Sequence, residues 1–547
     1  MNEIGTILLA LTMALPFAML AMFASPLLRA HVTRFLWLGP LPALGASLVA
    51  LGSGSLKLDV PAFGMTFLLD KPAAILLLAA ALLWVGAEVA AARIAQGGTR
   101  FSVCWLLTMA GSFGVFIAAD LLTFYLVYAL VSIPAYGLIA TDDHAESRRA
   151  AGVYMAFTIL GEALLLLAFA ALAAGDPAGS IMIHDVMAAL PTSPWRDAAL
   201  ALTIAAFGLK IALVPGHGWM PLTYTAAPIP AAAVLSGAAV KAGVIGLIRF
   251  LPFDVAFPGW GAVLVALGFF SAFYGVAIGL TQHNPKTILA YSSISQMGVI
   301  AAVLGMSLST ADQGAPLDIA FYAAHHVLVK GALFLTIGAI AVAPSRHRQL
   351  VFVLAAIMAL SLAGLPFTGG ALAKIAVKAP LGDGIAGSLA ALSSAATALL
   401  MLHFLACLSR SFPGGANAVA DSGLDRPWLA LTVASLVVPW LFYPAAGGRA
   451  ADFLSFTAFW KALWPVALGA AGAAWLWTSG PRLPSIPAGD ILQGQIAAFR
   501  ASFAVSSFFE YLDLRLRQWP VASLSLLAIA LLLTVATRAS NSFTLMP

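Results

Sequence analysis

The chain has 547 residues, of which 62% are hydrophobic and 9% charged, and its mean hydropathy is +0.98. A soluble domain is nearer half apolar and a quarter charged, so this composition belongs to a chain that crosses a membrane many times. The formal charge of +5 and the two cysteines, Cys104 and Cys407, exclude a nucleic-acid surface, a disulfide framework, a cysteine-ligated cluster and a thiolate zinc site.

Apolar runs recur almost without pause. In chain order they read as helices over 4–24, 36–55, 72–92, 101–119, 121–141, 150–174, 197–215, 229–250, 258–281, 287–306, 317–343, 350–378, 386–409, 427–444, 455–478 and 519–537. That is an all-α, polytopic membrane protein of about sixteen transmembrane helices. The first run lacks a basic flank and reads as a retained helix rather than a cleaved signal. Residues 479–518 are the long polar stretch, with Arg482, Arg500, Arg515 and Arg517 around Phe503, Phe508, Phe509 and Tyr511. They suit a helix on the membrane surface or a plain connector. Pro215 breaks the seventh run, and Pro366-Phe367-Thr368-Gly369-Gly370 breaks the twelfth. The breaks are five elements apart. Five is odd, so two five-helix units would have opposite topology, as in an inverted repeat. The resulting organisation is N-terminal helices over 1–100, repeats over 101–250 and 251–411, and C-terminal helices over 412–547.

Lysine and arginine set the orientation. With the N-terminus periplasmic, the cytoplasmic loops carry Arg29, Arg34, Arg93, Arg100, Arg148, Arg149, Lys286, Arg346, Arg348, Arg410 and Arg426. The opposite loops carry chiefly Lys57, Lys71, Arg196, Arg249 and Arg449. The bias favours the N-terminus outside, in the inner membrane of a bacterium.

Cations inside spans cost several kcal/mol on insertion scales, so they persist mainly where they pair, line water or move charge. Lys210 stands just before the break at Pro215, with His217 and Trp219 in the break itself. Lys241 lies in Ser236-Gly-Ala-Ala-Val-Lys-Ala-Gly, whose small residues allow close helix approach. His325, His326 and Lys330 lie in Ala323-Ala-His-His-Val-Leu-Val-Lys. His326 and Lys330 are four apart and share a helix face, whereas His325 points elsewhere, toward a neighbour. Lys374 follows the twelfth-helix break. Glu162 and Glu88 stand inside spans. Glu162 is the candidate counter-charge for Lys210, and Glu88 reads as structural. Asp120 sits between two runs and could cap the helix that follows. Amines suit proton work because desolvation brings the neutral form within reach and a nearby carboxylate restores the charge. No nucleotide fold, phosphate loop, metal cluster or nucleophile triad is legible, so no cofactor or metal is expected and any redox chemistry belongs to partners.

These residues sit in a frame that resembles a known family. Lys210-Ile-Ala-Leu-Val-Pro-Gly-His-Gly-Trp-Met-Pro221, then Ala227-Pro228, then the run from Ser236 to Arg249 resemble the signature of antiporter-like subunits. Such subunits occur in respiratory complex I, in membrane-bound and formate-hydrogenlyase-type hydrogenases, and in multisubunit sodium/proton antiporters. Asn284-Pro-Lys-Thr-Ile-Leu-Ala-Tyr-Ser-Ser-Ile-Ser-Gln-Met-Gly298 is similar to the next motif, and Gly364 to Lys374 to the broken twelfth helix. The resemblance covers roughly residues 100 to 410 and implies a proton-translocating unit of inverted repeats with a polar axis at the midplane. It implies that Lys210 is the central lysine of the first half-channel, Lys241 the bridging lysine, His326 and Lys330 the central axis, Lys374 the second half-channel, and Asp120 the acid opening the fifth helix. Three departures stand out. Ala129 occupies the place where the family usually has a glutamate, Leu222 follows Trp219-Met-Pro where many members have aspartate, and the C-terminal stretch is short for a long lateral helix.

The expected function is a proton-translocating subunit of a larger complex, working through Lys210, Glu162, Lys241, His326, Lys330 and Lys374, with His217 and Asp120 beside them. Partners would be other membrane and soluble subunits, lipid, and no nucleic acid. The rival readings are a sodium/proton antiporter subunit, a subunit coupling proton flow to inorganic-carbon capture by a soluble zinc partner, and a structural anchor with an inactive channel.

Overall fold

The computed structural model describes residues 2–95, 98–142, 144–411, 425–449, 455–480 and 483–492. Met1–Gly489 form one compact unit. The chain opens with α1 (Asn2–Met22), then α2 (Pro26–Phe35) and α3 (Leu41–Ser53), which together make one bent span. That span begins ten residues before the expected 36–55. A 3-10 turn at Leu36–Leu38 followed by Gly39 and Pro40 makes the bend, because proline cannot donate to the preceding turn.

A hairpin that the helical reading passed over comes next, β1 (Leu56–Val60) and β2 (Met65–Leu69). They run antiparallel with Leu56 opposite Leu69 and Val60 opposite Met65. Its signal was present: Leu56, Leu58 and Val60 alternate with Lys57 and Asp59, and Pro61 to Gly64 supplies the turn, with Gly64 left-handed at φ 63°.

The helices that follow are α4 (Lys71–Ala95), α5 (Thr99–Ile117), α6 (Leu121–Ser132), α7 (Ala135–Ile139), α8 (Ala145–Gly175), α9 (Ile183–Ala189), α10 (Arg196–Lys210) and α11 (Trp219–Ala226). Then come α12 (Ile229–Val234), α13 (Lys241–Phe250), α14 (Pro258–Gly279), α15 (Pro285–Thr310), α16 (Ala315–Val342), α17 (Ser345–Ala363), α18 (Gly369–Ala376), α19 (Lys378–Leu381), α20 (Ile385–Ser411), α21 (Arg426–Phe442) and α22 (Phe456–Ser479). Among the described residues, 12 helices are long and apolar enough to cross a membrane. The broken pair α10–α11 and the helices α21 and α22 correspond to three more of the expected spans. The sixteenth, 519–537, and most of the polar stretch 479–518 lie outside the described residues.

The centre of the bundle is sealed by close approach. Pro285–Thr310 is buried along its whole apolar window. Gly261, Gly268 and Gly275 recur every seventh residue on α14 and face α15. A Cβ on Gly268 would stand 2.5 Å from Ala302 N and 2.6 Å from Gly298 O, and one on Gly275 2.7 Å from Tyr291 O. Lipid supplies no hydrophobic drive between helices, so backbone contact of this kind holds them. We expect Gly268→Ala to separate α14 from α15 and to destabilise the protein by about 1–3 kcal/mol. The check is the midpoint of thermal unfolding in detergent, with Gly259→Ala, where nothing lies within 4 Å of the added Cβ, as the neutral control.

Candidate functional site: a buried polar axis

Helix α10 ends at Lys210 and resumes as α11 at Trp219. A break at this depth leaves backbone groups that lipid cannot satisfy, and side chains meet them. The Trp219 indole donates to Leu209 O at 3.0 Å, and Val214 N donates to Ser271 Oγ at 3.0 Å. Ala212 takes a left-handed conformation at φ 57° to turn the chain. The gap thus puts Lys210 at a helix terminus inside the bundle.

Around it, α6 presents Tyr128 and Ser132 one turn apart. Lys210 Nζ donates to Ser132 Oγ at 2.6 Å and lies 5.2 Å from the centre of the Tyr128 ring. The Ser132 hydroxyl in turn donates to Tyr128 O at 2.7 Å, and Tyr154 of α8 donates to Ser132 O at 2.9 Å. A cavity of about 20 Å³ adjoins Lys210, lined by Tyr128, Ser132, Tyr154, Gly161 and Trp219, which is room for one water. Glu162 follows Gly161 on α8 and is buried, at 8% exposure. It lies within electrostatic reach of Lys210 without forming an ion pair, and its Oε1 has no protein partner. Ala129, where the family's glutamate was expected, is a helical residue whose carbonyl accepts from Ile133 N.

The middle of the axis is tighter. Between α12 and α13 the chain takes a π turn over Leu235–Ala239; such turns recur at functional sites. The small residues read as close-packing serve this turn: a Cβ on Gly237 would lie 2.1 Å from Leu83. Lys241 follows, wholly buried, and its Nζ sits 2.9 Å from His326 Nδ1 on α16. His326 Nε2 has no hydrogen-bond partner among the described residues. One turn on, Lys330 is also wholly buried and donates to Leu289 O of α15 at 2.8 Å. Lys241 and Lys330 are close enough for their charges to act on one another. His325 points the other way, to Ser361 Oγ of α17 at 2.9 Å, and lies within electrostatic reach of Lys374.

At the far end, α17 stops at Gly364, left-handed at φ 90°, and α18 starts after Thr368. Gly370 is required there because a Cβ would stand 1.6 Å from Ser361 O. Lys374 donates to Ser394 Oγ of α20 and faces a cavity of about 710 Å³ that Tyr322 also lines. Tyr322 donates to Gln296 Oε1 at 2.7 Å, and Gln296 Nε2 donates to Thr397 Oγ1 at 3.1 Å. The sequence reading missed the serines that receive these lysines, Ser132 and Ser394, and the chain Tyr322–Gln296–Thr397 beside the cavity. Their signal was polarity inside apolar runs, plainest in Ser292, Ser293, Ser295 and Gln296.

The structure therefore brings the expected residues into three groups: Lys210 with Glu162, Lys241 with His326 and Lys330, and Lys374 with Ser394. Among the described residues no hydrogen bond or ion pair joins Lys210 to Lys241. Two expected residues stand apart from these groups. Asp120 caps α6 and ties it to the hairpin, accepting from Thr123 N at 2.7 Å, Thr123 Oγ1 at 2.6 Å and Thr66 N at 2.9 Å. His217, fully buried in the break, stands edge-on to Tyr274 at 5.0 Å between ring centres. Glu88, read as structural, is 1% exposed and accepts from the Trp105 indole at 2.6 Å. Among the described residues no cluster of three or more His, Cys, Asp or Glu is placed to hold a metal ion.

Broken and distorted helices thus place four lysines and a histidine in polar surroundings within an α-helical membrane bundle, Lys241, His326 and Lys330 wholly buried and Lys210 and Lys374 partly so. Residues 118–399, more than half of the chain, match the family described as NADH:quinone oxidoreductase/Mrp antiporter, TM, and the chain belongs to that family. It is 31% identical over 287 residues to NAD(P)H-quinone oxidoreductase chain 4 2 of Thermosynechococcus vestitus, covering 51% of this chain and 52% of that protein. It is 31% identical to NADH-quinone oxidoreductase subunit N of Desulforudis audaxviator, covering 51% and 57%. With hydrogenase-4 component B of Escherichia coli it shares 28% identity, covering 40% and 34%. The chain thus spans about half or less of the length of these curated relatives. Its fold matches a chain of the Mrp complex from Dietzia sp., with a TM-score of 0.67 and 22% identity over 85% of this chain and 100% of that one. It also matches a chain of an archaeal membrane-bound sulfane sulfur reductase, with a TM-score of 0.68 and 20% identity over 83% and 99%.

Removing the hydroxyl that holds Lys210 leaves a half-buried ammonium short of its acceptor, a loss of roughly 1 kcal/mol. Ser132→Ala is expected to lower the thermal midpoint of the purified protein. Ser132→Thr, which keeps the acceptor, should retain most of the stability.

Proposed function

We propose that this chain moves protons across the membrane as one subunit of a larger complex, with its N-terminus on the periplasmic side. The observation that carries the reading is the wholly buried Lys241–His326–Lys330 cluster, flanked by Lys210 and Lys374, each hydrogen-bonded to a serine. In this reading a change at a partner alters the field between Glu162 and Lys210. Lys210 then gains or loses a proton at Nζ, and the change passes to Lys241. The 2.9 Å contact lets a proton cross between Lys241 Nζ and His326 Nδ1, which frees Nε2 to exchange with Lys330. Lys374 closes the series at the large cavity. Each charge moved against 100 mV requires about 2.3 kcal/mol, a scale that a single displaced buried charge pair supplies. Amines and imidazole exchange protons but do not ligate sodium. The buried acids among the described residues are Glu88, Asp120 and Glu162, a sparse oxygen set that favours protons over sodium. Hydrogenase and quinone oxidoreductase assemblies, to which relatives belong by name, are the partner class this reading favours.

A second reading is a bundle retained as an anchor with its first half-channel inactive. Ala129 and the missing link between Lys210 and Lys241 favour it. Proton uptake by proteoliposomes holding the intact complex decides between the two. We expect Lys210→Ala and Glu162→Gln each to reduce flux at least about tenfold, the effect of a loss near 1.4 kcal/mol, with the double variant no worse than either, in sodium-free buffer. Wild-type flux surviving both substitutions would leave the anchor reading standing.

A further inference from the structure

The mouth of the large cavity holds more positive charge than it balances. Lys374, Lys378 and Lys461 line it together with one acid, Asp383. Lys378 Nζ reaches Asp383 Oδ1 at 3.5 Å, and both side chains are open to the surroundings, 47% and 86% exposed. Lys461, from the first turns of α22, lines the same cavity, close enough to Lys378 for their charges to act on one another. Ammonium groups on the wall of one cavity repel, and a single exposed carboxylate answers one of them. An arrangement of this kind is stable when an anion with several acceptor oxygens bridges the pair. The volume, about 710 Å³, is that of a ligand site rather than of a water channel. The rim is also that of a lipid interface. Phe456 is 80% exposed, Trp460 56% and Ile385 81%, and aromatic residues at the end of a span sit at headgroup level.

We propose that this cavity binds a phosphate group, bridged by Lys378 and Lys461, and that its source is the headgroup of an anionic phospholipid lying between α20 and α22. The site uses Lys378 and Lys461, neither of which belongs to the proton series, so it stands or falls apart from that reading. Lysine is a good phosphate partner as a point charge with three donors, and basic pockets between membrane helices take lipid headgroups.

The test uses the full chain, stripped of lipid in detergent. One arm adds inorganic phosphate against chloride at equal ionic strength. The other compares nanodiscs of phosphatidylglycerol with nanodiscs of phosphatidylcholine, reading the thermal midpoint and the lipid retained in native mass spectrometry. We expect the wild type to be stabilised by phosphatidylglycerol and to retain it. Lys378→Ala with Lys461→Ala should abolish both effects, with affinity falling at least about tenfold, while the double Arg variant keeps them. Stabilisation by inorganic phosphate alone would assign the site to the free ion and overturn the lipid source. No difference between wild type and the double Ala variant in either arm would overturn the site. If that variant does not fold, Lys461→Gln alone carries the same comparison.

Discussion

The hydrogen bond between Lys241 and His326 sets the terms for everything around it. Both side chains are wholly buried and their nitrogens stand 2.9 Å apart, with no ion pair to a carboxylate among the described residues. Taking an ammonium out of water costs several kcal/mol even after relaxation. The surrounding helices must therefore offer oriented dipoles where water is excluded. They do so by departing from regular helix. The π turn before Lys241 re-aims the helix that carries it, and Leu289 O receives Lys330 in addition to its place in α15. The helix that carries that carbonyl, α15, meets α14 backbone to backbone along Gly261, Gly268 and Gly275.

The two outer lysines show how position and charge are separated. Lys210 and Lys374 each take a serine hydroxyl as hydrogen-bond acceptor. A hydroxyl orients an ammonium but adds no charge. Glu162 supplies charge to Lys210 without touching it. In an ion pair, moving the acid would break the bond that positions the amine. Here the field at Lys210 can change while Ser132 keeps the side chain in place. Two unit charges about 6 Å apart in an effective dielectric of about 20 interact by roughly 3 kcal/mol, close to the work of moving one charge through 100 mV. On the proposed reading, Glu162 would act on Lys210 through space rather than through contact, with Ala129 where the family usually has a glutamate.

Much of this could be read from the chain. Lys210 before Pro215, and Lys374 after Gly369-Gly370, announced the two breaks, because helix breakers beside cations in apolar runs have few other uses. His326 and Lys330 four residues apart announced a shared face. What the sequence hid were the partners. Ser132 and Ser394 look like any other serine in a membrane helix, and only the fold brings them to residues 78 and 20 positions away. Asp120 was legible as a cap because it stands between two apolar runs just before Leu121, but its second contact was not: in the fold its oxygens meet Thr66 of the hairpin as well as Thr123. The hairpin 56–69 was hidden by its setting: five-residue strands between long apolar runs give a weak period-2 signal beside a strong helical one.

The two ends of the axis differ most in the space around their lysines. Lys210 has a cavity of about 20 Å³, Lys374 one of about 710 Å³. One has room for a single water, the other for many. In the proposed series the potential of the larger cavity's walls would govern exchange at Lys374. Those walls carry Lys378 and Lys461 against Asp383. Positive walls discourage cations from lingering beside Lys374, and a phosphate bridging Lys378 and Lys461 would reduce that potential. Lipid composition would then act on the outer lysine without any movement of the helices. That makes the vestibule a place where the membrane itself can tune the last step of the series.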